Sequence, residues 1–319
     1  MLRVVAVGGG TGLSVLLRGL KRAAAAVTAV VTVGDDGGSS GRLRRELGLL
    51  PPGDFRSCIA ALADDEALMT QVLQYRFGDG SLGGHTLGNL LLVAMAELTG
   101  SFERAVLEAG RVLSIQGEIM PSTLENVALC AQVDGEDATQ RARTVRGESR
   151  IGEAGRSIRR VFLEPESPPA YPGAVAAILA ADLVVLGPGS LYTSVMPNLL
   201  VPGIAQAVRA SGALKVYVCN VAPQPGETDG YSVQDHARAI EVNAGPGLFQ
   251  YVLANDRWPD GAGTGCVHPE VGAAEGSAML MADLIDMARP WQHDSAKLGA
   301  VLLDLVDEHR DPLAALSVY

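Results

Sequence analysis

The chain has 319 residues, of which 48% are hydrophobic and 19% charged, and its net charge is −11. This composition excludes an intrinsically disordered protein, and the acidic balance argues against bulk affinity for nucleic acid. No apolar run reaches the roughly 18 residues of a membrane span. We therefore expect a cytoplasmic protein that does not insert into a membrane and does not bind nucleic acid.

The first 33 residues predict a βαβ unit. Residues 2–7 form a short apolar run, rich in valine, that ends in glycines and is typical of a buried parallel strand. Leucines spaced at helical intervals over residues 13–20 predict a helix directly after it. Residues 27–33 form a second apolar run that again ends in glycine, which predicts the next parallel strand.

The last part of the chain repeats this alternation. Apolar runs predict strands over residues 181–186, 215–220 and 249–255, with a helix over residues 204–210 between the first two. Ser232 and Asp235 have the spacing of a capping box, which predicts that a further helix begins there.

The middle of the chain has a different pattern. Residues 54–113 are helical in pattern, and residues 117–165 break into short alternating pieces with turn residues, which indicates a small β excursion. One apolar stripe in the helical part consists of Leu87, Leu90, Leu91, Ala94 and Leu98. We predict a single α/β domain over residues 1–319, with a mostly parallel sheet and a helical plus small β insertion over residues 54–165.

The glycine-rich segment GGGTG, residues 8–12, joins the first predicted strand to the first helix. Glycines allow close approach of a ligand, and the helix start offers free N–H groups that suit a phosphate. The dinucleotide fingerprint fails because its sixth position is Leu13, and no Gly-Lys-Ser/Thr follows to make a P-loop. The segment is either a phosphate loop or a tight turn without a ligand.

Three further loops carry polar groups. Asp35 and Asp36, after the second strand, could hold a cation, grip ribose hydroxyls or orient a substrate hydroxyl, or could form a solvated acidic turn. Asp54 is either a helix N-cap or part of the site. His85 is an acid/base group, a phosphate donor or part of a capped helix start.

Two more loops follow predicted strand ends, at residues 186–194 and 219–228. The first combines glycines with hydroxyl side chains, as a second anion cradle would. Because the carboxyl ends of parallel strands lie at one edge of a sheet, we expect all these loops to share a ligand cleft. No nucleophile elbow or Ser/His/Asp pattern is present in the sequence, so no catalytic residue is assigned.

The loops resemble those of the YvcK family of gluconeogenesis factors. The blocks that carry the resemblance are GGGTGLS, VTVGDDGGSSGRLR, PPGDFRSCIAALA, GGHTLGNLLL, VVLGPGSLYTSVMPNLLVPGI and CNVAPQPGETDGYSVQDH, and they cover residues 2–255 in order. The family is grouped in a superfamily with CofD, a 2-phospho-L-lactate transferase. The resemblance implies a Rossmann-like three-layer domain that binds a UDP-sugar, notably UDP-N-acetylglucosamine, and regulates carbon flux to cell-wall synthesis and cell shape.

The candidate ligand-binding residues combine the loops with the positions that match the family motifs. They are Gly9, Gly10, Thr11, Gly12, Asp35, Asp36, Ser39, Arg42, His85, Asn89, Gly189, Ser190, Leu191, Tyr192, Asn198, Asn220, Glu227 and Thr228. Asp36 is the candidate metal ligand. One departure from the family pattern is Ala222-Pro223, where a Met-Thr pair is usual, so a role for the side chain at position 223 is in doubt.

Two functions remain open on the sequence. The first is a regulatory protein that binds a UDP-sugar and catalyses no reaction; the second is a CofD-like transferase that moves a phosphate-linked group from a nucleotide donor with Mg²⁺. The transferase needs a roomy, aromatic-lined acceptor pocket, and only 4% of the residues are aromatic, which favours the binding protein. Its expected partners are a nucleotide sugar and further copies of the same chain.

Overall fold

The computed structural model describes residues 1–22, 26–64, 66–135, 142–259, 265–270 and 277–310. The strands are β1 (Arg3–Gly8), β2 (Ala26–Val31), β3 (Glu118–Pro121), β4 (Ala128–Val133), β5 (Arg143–Arg146), β6 (Ile158–Glu164), β7 (Leu183–Leu186), β8 (Leu214–Val218), β9 (Tyr251–Asn255) and β10 (Ala278–Ala282). The helices before the small sheet are α1 (Gly10–Arg22), α2 (Gly38–Leu47), α3 (Gly53–Leu62), α4 (Glu66–Gln74), α5 (Leu87–Thr99) and α6 (Phe102–Val112). The later helices are α7 (Glu148–Glu153), α8 (Pro172–Ala180), α9 (Met196–Leu199), α10 (Pro202–Ala210), α11 (Val233–Ala244) and α12 (Ser295–Arg310), with a π-helix at Leu191–Val195.

The main sheet has seven strands in the order β10-β9-β8-β7-β1-β2-β3, and each neighbouring pair is parallel. The chain builds the sheet outwards from β1 in one direction through β2 and β3. It then returns to the other side of β1 and continues through β7 to β10. The strand order therefore reverses between β1 and β7, and this is the switch point at which open α/β sheets bind ligands.

Helices cover the sheet and complete a three-layer α/β architecture, which confirms the predicted fold class. The centre of the sheet is buried. This holds for the side chains of Val4 to Val7 in β1 and for all four side chains of β7. Helix α1 packs against α3 and α12, and helix α8 packs against α10. The predicted capping box is present, since Ser232 Oγ accepts from the Asp235 N–H and the Asp235 carboxylate accepts from the Ser232 N–H.

The predicted β excursion divides between two sheets. Strands β4, β5 and β6 form a separate three-stranded antiparallel sheet, in agreement with the alternating pattern. The preceding strand, β3, instead pairs in parallel with β2 at the edge of the main sheet. The short apolar pattern of residues 118–121 does not distinguish these placements, because the pairing joins segments about 90 residues apart.

The apolar stripe of α5 is only partly buried in the structure. The side chain of Leu98 is 87% exposed and Ala94 is also exposed, whereas Asn89, Leu92 and Ala96 are buried. Helix α5 is apolar around most of its circumference, so its hydrophobic period does not identify the inward face. Among the described helices, none is long and apolar enough to cross a membrane.

Candidate functional site

A cleft of about 480 Å³ opens at the carboxyl ends of β1 and β7, on the switch point of the sheet. Its floor is made by the loop at residues 9–12 and by the loop at residues 188–190. The volume lies within the range of about 300–1,000 Å³ that is usual for small-molecule sites. The two glycine-rich segments singled out in the sequence therefore meet in one cleft.

The first loop leads straight into α1. Gly10 has φ of 63°, a backbone conformation that favours glycine, and it is also the first residue of α1. Gly12 lies against the second loop, where a Cβ atom would come within 2.5 Å of the Pro188 carbonyl oxygen. Glycine at position 12 allows the two loops to touch, and α1 begins in the wall of the cleft that they share.

The second loop is held by an asparagine at the end of β8. Asn220 Oδ1 accepts from the Gly189 N–H at 3.1 Å, and Asn220 Nδ2 donates to the Gly189 carbonyl at 2.7 Å. The same Nδ2 also donates to Gln224 Oε1 at 3.0 Å. The side chain of Asn220 therefore binds both the N–H and the carbonyl of Gly189 and holds the loop in place at the cleft.

Three carboxylates line the cleft: Asp35, Asp54 and Glu148. Burial raises the pKa of Asp54 to about 6, with a further contribution from the negative charge of Asp35 and an opposing hydrogen bond from the Gly10 N–H. Burial also raises the pKa of Glu148 to about 8, reinforced by the charges of Asp35, Asp36 and Asp54. These groups can carry protons near neutral pH.

Asp36 lies beside the cleft and not in its wall. Its Oδ1 accepts from the Ser149 N–H at 2.9 Å, so the side chain holds the start of α7. This contact explains how Glu148, which precedes Ser149 in a distant part of the sequence, is directed into the cleft. Within the described residues, no group of three or more His, Cys, Asp or Glu side chains is arranged to hold a metal ion.

A buried polar cluster connects α2 to the start of α5. Ser39 Oγ lies 3.0 Å from His85 Nδ1 and accepts from Asn89 Nδ2 at 3.0 Å. Arg42 donates to the Gly83 carbonyl at 2.8 Å. These four predicted site residues lie together but outside the lining of the cleft. Their contacts hold α2, which follows the loop of Asp35 and Asp36, against the start of α5.

The remaining predicted residues have structural contacts of their own. Asn198 donates to the Gly8 and Ser194 carbonyls at 3.0 and 2.9 Å. It therefore links the segment that follows β1 to the segment that follows β7. The Tyr192 hydroxyl lies 2.9 Å from that of Tyr231. Glu227 accepts from Thr193 at 3.1 Å, and its pKa is raised by burial to about 6.

The structure brings eight of the eighteen predicted residues into the cleft wall: Gly9, Gly10, Thr11, Gly12, Asp35, Gly189, Ser190 and Asn220. The other ten lie outside it: Asp36, Ser39, Arg42, His85, Asn89, Leu191, Tyr192, Asn198, Glu227 and Thr228. Two of these ten, Tyr192 and Asn198, are buried under the loops. Ligand contact by any of the eighteen stays a prediction.

The cleft also contains residues that the sequence analysis did not assign. Glu148 comes from the region after β5, and Trp291, Gln292 and His293 come from the C-terminal region, in which no motif was recognised. Burial lowers the pKa of His293 to about 4, so its ring is neutral at physiological pH. No glycine loop marks these positions, and only the tertiary structure brings them to the site.

The sheet, its switch-point cleft and the paired glycine loops define a Rossmann-like three-layer protein with the layout of a ligand-binding site. The model of the family described as 2-phospho-L-lactate transferase CofD matches residues 4–270. The chain belongs to this family, and within it to the branch of gluconeogenesis factors, because relatives of that name are about half identical to it over most of its length. The resemblance to the YvcK family is confirmed.

The gluconeogenesis factor of Halalkalibacterium halodurans is 51% identical over 79% of this chain and 77% of the relative. That of Bacillus subtilis is 49% identical over 79% of this chain and 78% of the relative. A longer relative from Nostoc sp. is 54% identical over 81% of this chain, which covers 56% of that protein. Among solved structures, a UPF0052 family protein from Bacillus halodurans superposes with a TM-score of 0.87 at 43% identity, over 95% of this chain and 100% of that one.

Proposed function

We propose that this chain is a regulatory protein of the cytoplasm that binds a UDP-sugar, of the UDP-N-acetylglucosamine type, in the switch-point cleft. In this proposal the bound state regulates carbon flux towards cell-wall synthesis and thereby cell shape. The name of its relatives, gluconeogenesis factor, supports a role in carbon metabolism. We also propose that it acts as a homo-oligomer, for which sedimentation of the purified chain is the direct test.

One observation carries the proposal: the two glycine loops face each other at the point where strand order reverses. A diphosphate can accept hydrogen bonds from polar groups of both loops, because it carries oxygens on two adjacent phosphorus atoms. Helix α1 begins at Gly10 and adds the positive end of its dipole. Among the described residues that line the cleft there is no Lys or Arg, so an anion would be bound by neutral donors, which are backbone N–H groups and side chains such as those of Thr11 and Ser190.

The carboxylates support the sugar half of the ligand. Asp35 and Asp54 lie in the same cleft as the loops, and carboxylate oxygens accept hydrogen bonds from sugar hydroxyls. A hydroxyl-rich ring can satisfy these acceptors without adding negative charge. A UDP-sugar therefore presents anionic oxygens to the N–H groups and neutral hydroxyls to the carboxylates.

The CofD-like transferase is the second candidate, and the family match over residues 4–270 favours it. Asp54 and Glu148, with pKa values raised to about 6 and about 8, could accept or donate a proton near neutral pH. Asp35 and Asp54 are oxygen donors of the kind that Mg²⁺ prefers, and they would need the phosphates of a nucleotide donor to complete its coordination. Mg²⁺ would supply charge neutralisation on those phosphates.

A thermal-shift series distinguishes the two candidates. A ligand at a hundredfold excess over its Kd stabilises the folded state by about 2.7 kcal/mol, which for a chain of this length raises the melting temperature by several degrees. We expect UDP-N-acetylglucosamine to produce this shift, GDP and GTP to produce much less, and the recovered UDP-sugar to be intact after incubation. A larger shift with a guanosine nucleotide, or release of UDP, would favour the transferase.

A further inference from the structure

The segment that follows β10 brings an aromatic side chain to the cleft. Trp291, Gln292 and His293 all line it, and the side chain of Trp291 is 63% exposed at its rim. Among the described lining residues, Trp291 is the one Phe, Tyr or Trp side chain. The family match ends at residue 270, so this part of the wall comes from outside the matched region.

The indole is held on a closed turn. The Asp286 N–H donates to the Gln292 carbonyl at 3.0 Å, and the Gln292 N–H donates to the Arg289 carbonyl at 2.8 Å. The side chains of Arg289 and Asp286 add an ion pair at 2.9 Å. Leu284 and Ile285, directly before the turn, are fully buried and anchor it to the core. These contacts hold the backbone of the turn that carries the indole.

Two further contacts fix the turn relative to the phosphate loops. His293 Nε2 lies 3.2 Å from the Cys219 carbonyl at the end of β8, which attaches the segment to the sheet beside Asn220. Asp294 then caps α12 by accepting from the backbone N–H groups that begin it. Helix α12 packs closely on α1 at Gly19 and Gly299, where a Cβ atom on either would meet the backbone of the other helix. Helix α1 starts at the first glycine loop, so the packing of α12 on α1 connects the turn that carries Trp291 to that loop.

We infer that Trp291 is the stacking platform for the nucleobase of the bound nucleotide. This inference rests on the proposed function and adds to it the part of the ligand that the glycine loops cannot recognise. Backbone N–H groups bind phosphate oxygens whatever base is attached, whereas a planar base has two apolar faces that gain from contact with an indole. Among the described lining residues, Trp291 is the aromatic side chain on which a base could stack.

The test is calorimetric titration of the full chain and its Trp291→Leu and Trp291→Phe variants with three probes: UDP, UDP-N-acetylglucosamine and N-acetylglucosamine 1-phosphate. Base stacking is worth about 1–3 kcal/mol, so Trp291→Leu should weaken UDP and UDP-N-acetylglucosamine by roughly 5- to 150-fold. Trp291→Phe should retain most of the affinity, and the base-free sugar phosphate should bind all three proteins alike.

A matched control is Tyr75→Leu, which removes another exposed aromatic ring, 57% exposed and outside the cleft lining. It should leave all three affinities unchanged, and thermal unfolding should show that each variant is folded. A fluorescence titration adds an independent signal, because UDP should change the emission of Trp291 in a Trp258→Phe protein and not in Trp291→Phe.

The outcomes separate the inference from the function on which it rests. If the wild-type chain binds UDP and Trp291→Leu binds it equally well, the stacking platform is refuted while the proposed function stands. If the variant weakens only the sugar phosphate, the indole faces the sugar and the assignment to the base is wrong. If the wild-type chain binds none of the nucleotides, the proposed function fails and the inference fails with it.

Discussion

Replacing Gly12 with alanine tests the contact between the two glycine loops. The added Cβ would lie 2.5 Å from the Pro188 carbonyl oxygen, 2.6 Å from its carbonyl carbon and 2.7 Å from the Gly189 nitrogen. An ordinary contact of a Cβ atom begins at 3.4 Å, so the loops would have to separate by about 0.9 Å. All three neighbours are backbone atoms and cannot rotate away as a side chain would.

Two effects of opposite sign decide the stability of this variant. Gly12 is inside α1, where alanine is favoured over glycine by about 1 kcal/mol. Overpacking a close contact costs about 1–3 kcal/mol, and backbone neighbours favour the upper part of that range. We expect a net loss of about 1–2 kcal/mol in the free energy of unfolding and a larger loss of UDP-N-acetylglucosamine affinity, because the separated loops no longer present their N–H groups to one diphosphate.

The measurement is urea denaturation together with calorimetric titration of both proteins. Gly212→Ala is the matched control, because a Cβ there meets nothing within 4 Å and the backbone is not in the left-handed region. We expect that control to change stability by no more than about 0.5 kcal/mol. If Gly12→Ala is as stable as the wild type and binds the ligand as tightly, the loops do not form a joint cradle.

Two further predictions concern the carboxylates. The pKa of Glu148 is about 8 in the folded protein and near 4.5 when unfolded, so between these values the folded chain keeps a proton that the unfolded chain has released. The free energy of unfolding should therefore fall as pH rises across this window, by at most about 1.4 kcal/mol per pH unit, and Glu148→Gln should flatten the dependence in urea melts from pH 5 to 9. Asp36→Ala should lower stability by about 1 kcal/mol through loss of the Ser149 contact. Titrations with and without Mg²⁺ should show the same Mg²⁺ dependence in the Asp36→Ala variant as in the wild type, and loss of that dependence would make Asp36 a metal ligand.

The parts of the fold that were predictable from the sequence are those fixed by local patterns. The strand, glycine turn and helix at the start of the chain, and the capping box at Ser232, depend on neighbouring residues and agree with the structure. Strand β3 and the inward face of α5 depend on distant partners. Leu98 is exposed because α5 packs through Asn89, Leu92 and Ala96, a choice that hydrophobicity alone does not encode.

The residues of the site also fall into those that a local pattern marks and those that only the tertiary structure brings together. Its glycine loops were visible because close backbone approach requires glycine at particular positions, as at Gly12. Glu148 and Trp291 were not, since a glutamate in a short helix and a tryptophan in a C-terminal turn have no local pattern that distinguishes them from surface residues. Asn198, an amide inside a recognisable motif, is buried beneath the loops and donates to the Gly8 carbonyl, a structural contact that the motif does not reveal.

The charge of the cleft limits which ligands can fit it. Asp35, Asp54 and Glu148 share the cleft with donors that are all neutral, namely backbone N–H groups and hydroxyl or amide side chains, and no Lys or Arg occurs among the described lining residues. Each additional phosphate would add negative charge beside these carboxylates without a side-chain cation to offset it. A nucleoside triphosphate therefore meets more repulsion than a diphosphate whose second phosphate is esterified to a sugar, because the ester removes one ionisable oxygen and places hydroxyl donors near the carboxylates. Proton uptake by Glu148 should therefore accompany binding near pH 8, because protonation of this carboxylate removes its repulsion of the bound phosphates.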